Sequence, residues 1–187
     1  MAVIIRKYEK SDREACQKIC IATAAPERVA TEKQKSSLAA VYSDSYVDFD
    51  ENICFVAEDD AMGVVGYILC APDTKRFCGY SVKNHILPLL RLSPMAALTA
   101  LGEYLVYILL SRKHPAHIHI DIMESHQRQG LGTKMVNTLF DELKHRRIPG
   151  VFLITDTGNK KGPNFYRKYG FILRHKILFA LVYTLDF

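Results

Sequence analysis

Gln127-Arg128-Gln129-Gly130-Leu131-Gly132 follows a β-branched run, His117 to Met123, and opens a long amphipathic helix. Two glycines let the backbone come close to a diphosphate, and the unpaired N–H groups and positive dipole end of a new helix favour negative charge there. The stretch therefore reads as an anion cradle, and a phosphorylated cofactor is the implied ligand. Two better-known glycine motifs do not fit. A dinucleotide fingerprint needs a third glycine where this chain has Met135, and a P-loop needs Gly-Lys-Ser/Thr where it has Gly132-Thr133-Lys134.

What remains is a Gln/Arg-x-x-Gly-x-Gly/Ala pattern between a strand and a helix. With Gln127, Gly130 and Gly132 at its defining positions, it resembles the coenzyme A pyrophosphate loop of the GNAT N-acetyltransferases. A second stretch, Asn159-Lys-Lys-Gly162-Pro-Asn-Phe165-Tyr166-Arg-Lys168-Tyr-Gly170-Phe171, is similar to the Asn-x-x-Ala-x-x-Phe-Tyr-x-Lys-x-Gly-Phe segment of the same family, at the same spacing. The departure is Gly162-Pro163 in place of Ala-x, and proline is tolerated in a first helical turn. Within the family, the strands at His117 to Ile122 and Tyr67 to Thr74 resemble acetyltransferase-like domains attached to O-GlcNAc hydrolases.

The resemblance implies an α/β protein with the GNAT acyl-CoA N-acyltransferase fold, a central mixed β-sheet flanked by helices. It covers most of the chain outside roughly 76–111. At 187 residues the expectation is a single acetyltransferase domain over 1–187, with a family-variable insert near 76–111. The implied activity is acetyl-CoA-dependent transfer to a primary amine of a small molecule or peptide, by direct attack in a ternary complex. The alternative from another class is an inactive acetyltransferase-like module that binds acetyl-CoA or a protein partner.

Composition narrows the partners. Hydrophobic residues make up 49% of the chain and charged residues 24%, as in ordinary globular domains. The net charge of +5 suits an anionic cofactor or a nucleic acid. Because Lys and Arg are scattered and aromatics are not interleaved with them, the cofactor is favoured and no nucleic-acid partner is expected. Five cysteines without ligand spacing read as reduced and buried, and the start of the chain lacks a signal peptide, so a cytoplasmic location is expected. The apolar stretch from His85 to Leu110 is interrupted by Pro88, Arg91, Pro94 and Glu103, which argues against a membrane span.

Periodicity places the elements. Ile4 to Tyr8 reads as a first strand, Ser11 to about Ala24 as a helix, and Thr31 to Val47 as another. Phe55 to Glu58 and Gly63 to Ile68 form two hairpin strands around an acidic turn. A helix capped at Ser93 runs towards Leu110, apolar around most of its surface. That pattern fits burial on several sides or a homodimer contact, and the segment is a candidate acceptor lid or an extra core helix. After the cradle comes a helix ended by Pro149-Gly150, then a strand from Val151 to Thr155. Ile172 to Phe187 is strand-like with no clear turn residue.

Acetyl transfer needs a held thioester, a neutral amine, a polarised carbonyl and a proton for the departing thiolate. Backbone N–H groups of Arg128, Gln129, Gly130, Leu131, Gly132 and Thr133 are expected to hold the diphosphate, with Arg128 or Lys134 adding charge. The resemblance implies that strand backbone at Ile122 and Met123 pairs with the pantetheine arm and polarises the carbonyl, and that Tyr166 is the acid. The alternative for Tyr166 is an aromatic packed beside Phe165. Asn159 meets the cofactor or caps the helix that bears Tyr166. His117, His119 and Asp121 share one strand face by alternation. Asp121 or His119 can serve as the base, directly or through water, or the two form a structural pair in which Asp121 fixes the His119 tautomer. His114, His117 and His119 lack a completing ligand, so no metal is expected.

Overall fold

The computed structural model describes residues 3–178 and 180–187. Strands β1 (Val3–Lys7), β2 (Phe55–Asp59), β3 (Gly63–Ala71), β4 (Ala116–Ile122), β5 (Gly150–Asp156), β6 (Ile172–Ile177) and β7 (Ala180–Asp186) form one sheet. Its order is β1-β2-β3-β4-β5-β7-β6. Only β4 and β5 run parallel among the described strands, so the sheet is mixed.

Period-two alternation sorts the side chains into two cores. Tyr67, Leu69 and Ala71 of β3 face helices α1 (Arg13–Thr23), α2 (Glu32–Ala39), α3 (Ser45–Asp50), α4 (Thr74–Ser81), α5 (Leu87–Leu92) and α6 (Pro94–Leu110). Ile68 and Cys70, with Ile118 of β4, face α7 (Leu131–His145) and α8 (Gly162–Tyr169). Registration of Tyr67 with Asp121, Leu69 with His119 and Ala71 with His117 puts the polar face of β4 on the α1–α6 side. Along β4 the chain passes from fully buried at Ala116 to partly exposed at Ile122. The site lies at that open end.

Several elements differ from their sequence expectation. The helix expected over Thr31 to Val47 runs to Asp50 and contains a π-helical turn at Ala40–Asp44. The β3 strand stops at Ala71, because Asp73 instead caps α4, its carboxylate accepting the Arg76 N–H at 3.1 Å. Helix α7 ends at His145, before Pro149-Gly150, and Arg147 adopts the left-handed conformation (φ 56°) that glycine usually supplies. The final run is a hairpin, with Ile177 paired to Ala180 and Leu178 left-handed at φ 48°; Phe179 lies outside the described residues.

Helix α6 is not buried on several sides. Ala97, Ala100, Tyr104 and Tyr107 form one buried stripe, whereas Met95, Leu98, Leu105 and Leu109 are exposed. The helix packs on the core by one face only. Among the described residues, no helix is long and apolar enough to cross a membrane.

Candidate active site

Strands β4 and β5 hold together only at their start. Their ladder contains Ala116 with Val151 and His117 with Phe152, after which the two strands diverge. Met123 donates its N–H to the Val65 carbonyl at 2.8 Å. Antiparallel alternation then directs the N–H groups of Asp121 and His119 to β3, and those of Ile120 and Ile122, beyond the last β4–β5 pair, toward the gap. Of the two backbone positions that the resemblance implied, Met123 gives its N–H to β3 within the sheet. Ile122 presents its N–H to the opening.

The cradle stands beside this gap. Arg128 (φ 63°) and Gly130 (φ 76°) are left-handed, which folds the loop tightly into the start of α7. Lys134 closes the first helical bond to the Gly130 carbonyl at 3.1 Å. Among the described residues, the backbone N–H groups of Arg128, Gln129, Gly130, Leu131, Gly132 and Thr133 have no hydrogen-bond partner, and they lead into and open the N-terminus of α7. A Cβ added to Gly132 would lie 3.2 Å from the Phe165 ring and 3.5 Å from Ile122. Glycine there lets the helix start lie against both α8 and the end of β4. Gln127 and Gln129 brace the loop, donating to the Ile122 carbonyl at 2.8 Å and the Ser125 carbonyl at 3.0 Å. An open set of donors with a close glycine approach fits a diphosphate.

Across the gap, Asn159 prepares α8. Its side-chain oxygen accepts the N–H groups of Lys161 (3.1 Å) and Gly162 (2.9 Å), while its amide donates to Thr155 at 2.9 Å. The departure from the Ala-x pattern has a steric cause: a Cβ on Gly162 would meet the Asn159 amide at 2.7 Å and the Tyr166 ring at 3.0 Å. Gly170, at φ 118°, ends the helix. Tyr166 is buried among Phe165, Phe171 and Tyr183. Among the described residues its hydroxyl has no hydrogen-bond partner, yet it is not sealed from solvent. Burial pushes its pKa up, and the nearby Asp121 charge adds to the shift, so the hydroxyl keeps its proton.

On the opposite face, Tyr67 joins His119 and Asp121. Tyr67 donates to Asp121 Oδ2 at 2.6 Å and lies 3.2 Å from His119 Nδ1. A phenol has one proton, so the Nδ1 contact requires Nδ1–H to donate to the Tyr67 oxygen, leaving Nε2 with a free lone pair. Burial lowers the His119 pKa, opposed by Asp121, and burial raises that of Asp121, opposed by His119 and Tyr67. Both side chains keep about a quarter of their surface exposed, 26% and 24%.

Three residues at this mouth carried no motif. Tyr42, in the π-helical turn, tilts against the His119 ring at 5.7 Å and donates to Glu103 at 2.6 Å; Arg28 lies 4.8 Å over the Tyr42 ring. Glu103 was legible as the lone charge in an apolar helix, a signal that by itself named no site. His117 and His114 turn elsewhere, to Thr74 at 2.8 Å and Asp186 at 2.9 Å. Among the described residues no group of three His, Cys, Asp or Glu is placed to hold a metal ion.

The fold recurs in solved structures. The protein SsHAT is 25% identical with a TM-score of 0.86, over 100% of this chain and 98% of that one. The PaiA N-acetyltransferase of Thermoplasma acidophilum, solved with coenzyme A, is 15% identical with a TM-score of 0.66, over 100% of both chains. The yncA protein of Salmonella typhimurium, solved with its cofactor acetyl-CoA, is 17% identical with a TM-score of 0.62, over 100% of this chain and 94% of that one. The family model for acetyltransferases matches residues 21–171, which span the cradle, the diverging strands and α8, and on that match the chain belongs to the acetyltransferase (GNAT) family.

Proposed function

We propose that this chain transfers the acetyl group of acetyl-CoA to a primary amine by direct attack in a ternary complex. One observation carries the reading: the β4–β5 gap has an unpartnered N–H cradle and Tyr166 on one sheet face and the His119–Tyr67–Asp121 cluster on the other. When bound, acetyl-CoA supplies the thioester, with its diphosphate on the N–H groups from Arg128 to Thr133 and its arm along the open edge of β4. The Ile122 N–H is the open donor for the acyl carbonyl.

His119 Nε2 takes the proton of the attacking amine, and Asp121, coupled through Tyr67, stabilises the imidazolium that results. As the new N–C bond forms and the C–S bond breaks, the Tyr166 hydroxyl gives its proton to the departing sulfur. The acceptor enters from the α1–α6 side, past Tyr42 and Glu103. It is a small-molecule or peptide amine. Five buried, unpaired thiols support a reducing, cytoplasmic setting.

Calorimetric titration with acetyl-CoA and CoA, followed by thiol-release assays over an amine panel, tests the reading. Micromolar binding with acceptor-dependent release supports it. Binding with no release from any amine would favour an inactive cofactor-binding module, and absence of binding would overturn the cradle.

A further inference from the structure

Between α1 and α2 the chain makes a single 3-10 turn, Pro26–Arg28. Proline fixes φ at its first position. The turn is tied on both sides: Arg28 donates its N–H to the Ala25 carbonyl at 2.9 Å, and the side-chain amide of Gln34, in the first turn of α2, donates to the Glu27 carbonyl at 3.2 Å. Arg28 is exposed, and its guanidinium carbon stands 4.8 Å over the Tyr42 ring. A cation so placed is held by the negative face of the ring, which orients a side chain that would otherwise move freely in water.

The ring beneath Arg28 leads to the base. Tyr42 tilts against the His119 ring at 5.7 Å, so the guanidinium and the imidazole lie no further apart than 4.8 and 5.7 Å laid end to end. The other charged groups at this mouth are already engaged. Asp121 accepts the Tyr67 hydroxyl and Glu103 accepts the Tyr42 hydroxyl, each at 2.6 Å. Burial also pushes both carboxyls above their ordinary pKa. Arg6, Arg13, Arg146 and Arg174 each pair with a carboxylate, whereas among the described residues Arg28 forms no ion pair.

A planar fork of N–H donors with no carboxylate to close on is a receptor for one. We propose, resting on the transfer reading above, that the acceptor is a small amine that carries its own carboxylate: the amine faces His119 and the carboxylate closes on Arg28. The span agrees. After a hydrogen bond of about 3 Å at each end, the path over Tyr42 leaves room for the separation of the two groups in a short amino acid. A diamine of the same length would set its second ammonium against the like charge of Arg28.

The test is calorimetric titration of the full chain, in excess CoA, with glycine, β-alanine and γ-aminobutyrate, each against the amino alcohol and the diamine of the same length. With CoA in place of acetyl-CoA, binding is read without turnover. At least one amino acid should bind about 10- to 100-fold more tightly than its amino alcohol, and the diamines should bind most weakly. Arg28→Gln should abolish that difference and leave amino-alcohol binding unchanged; Arg28→Lys, which keeps the charge without the fork, should restore part of it. If Arg28 only braces Tyr42, the variant would alter acid and alcohol binding alike. No binding by any amino acid, equal binding of acid and alcohol, a preference for diamines or for a peptide N-terminus, or an acid preference that survives Arg28→Gln would overturn the proposal. Thiol release from acetyl-CoA then separates the two readings. An Arg28-dependent acid preference without release would keep the carboxylate site and remove the transferase, and release from amines with no acid preference would do the reverse.

Discussion

Tyr166 and Asp121 show what a single residue can reveal. A buried phenol whose pKa is pushed up keeps its proton through the neutral range, so the hydroxyl is present as a donor to the sulfur as the C–S bond breaks. Tyr166→Phe should therefore leave CoA affinity unchanged in calorimetry and lower kcat by roughly 10²- to 10⁴-fold. Unchanged turnover would remove the acid role and leave Tyr166 as packing between Phe171 and Tyr183. For the base, burial raises the Asp121 pKa and lowers that of His119, so at neutral pH the imidazole is neutral and can accept a proton. Activity should rise with pH as the cluster deprotonates. Asp121→Asn removes the carboxylate that favours the imidazolium, so the acidic limb of the kcat/KM profile should move to lower pH as activity falls. A profile that keeps its position would return Asp121 to a structural role. The cradle and Tyr166 were legible in sequence because their motifs are local. Tyr67 was not, because its role depends on lying opposite Asp121 across a ladder, 54 positions away in the chain.

At the scale of elements, α8 depends on a residue outside it. Asn159 accepts two N–H groups at the start of this eight-residue helix and ties it back to β5 through Thr155. Asn159→Ala should cost about 1 kcal/mol in denaturant-derived stability, the usual value of such a cap. Because α8 positions Tyr166, kcat should fall with little change in CoA affinity; a large loss of affinity with kcat preserved would place Asn159 on the cofactor instead. Element types were readable from periodicity, but details set by tertiary packing were not. The π-helical turn at Ala40–Asp44 breaks no propensity rule, yet it widens the helix where Tyr42 meets Glu103 and His119. The last hairpin was hidden for a related reason: Leu178 takes a left-handed turn that no glycine or asparagine announces. The Met123 N–H belongs to Val65, which only the observed register shows.

The whole molecule divides the chemistry between the two faces of one sheet, and that division imposes a pH limit on the fold. The polar face of β4 that ends in His119 and Asp121 begins with His117, which is 1% exposed and packed among Tyr46, Phe77, Tyr107 and Phe152. Thr74 meets its Nδ1, and its Nε2 has no partner among the described residues. Burial, with a smaller contribution from His119, lowers its pKa from 6.5 to about 3. Between those values the unfolded chain binds a proton that the folded chain refuses. Stability from this residue is therefore fully present above pH 6.5 and is lost as pH falls toward 3. The slope approaches about 1.4 kcal/mol per pH unit, so roughly 2 kcal/mol should disappear between about pH 7 and 5. His117→Gln keeps a partner for Thr74 and does not titrate. Urea unfolding at the two pH values should show wild-type stability falling by about 2 kcal/mol more than that of the variant. Equal losses in the two proteins would mean that the imidazole is protonated in the folded state, and the closed aromatic packing around it would then be wrong.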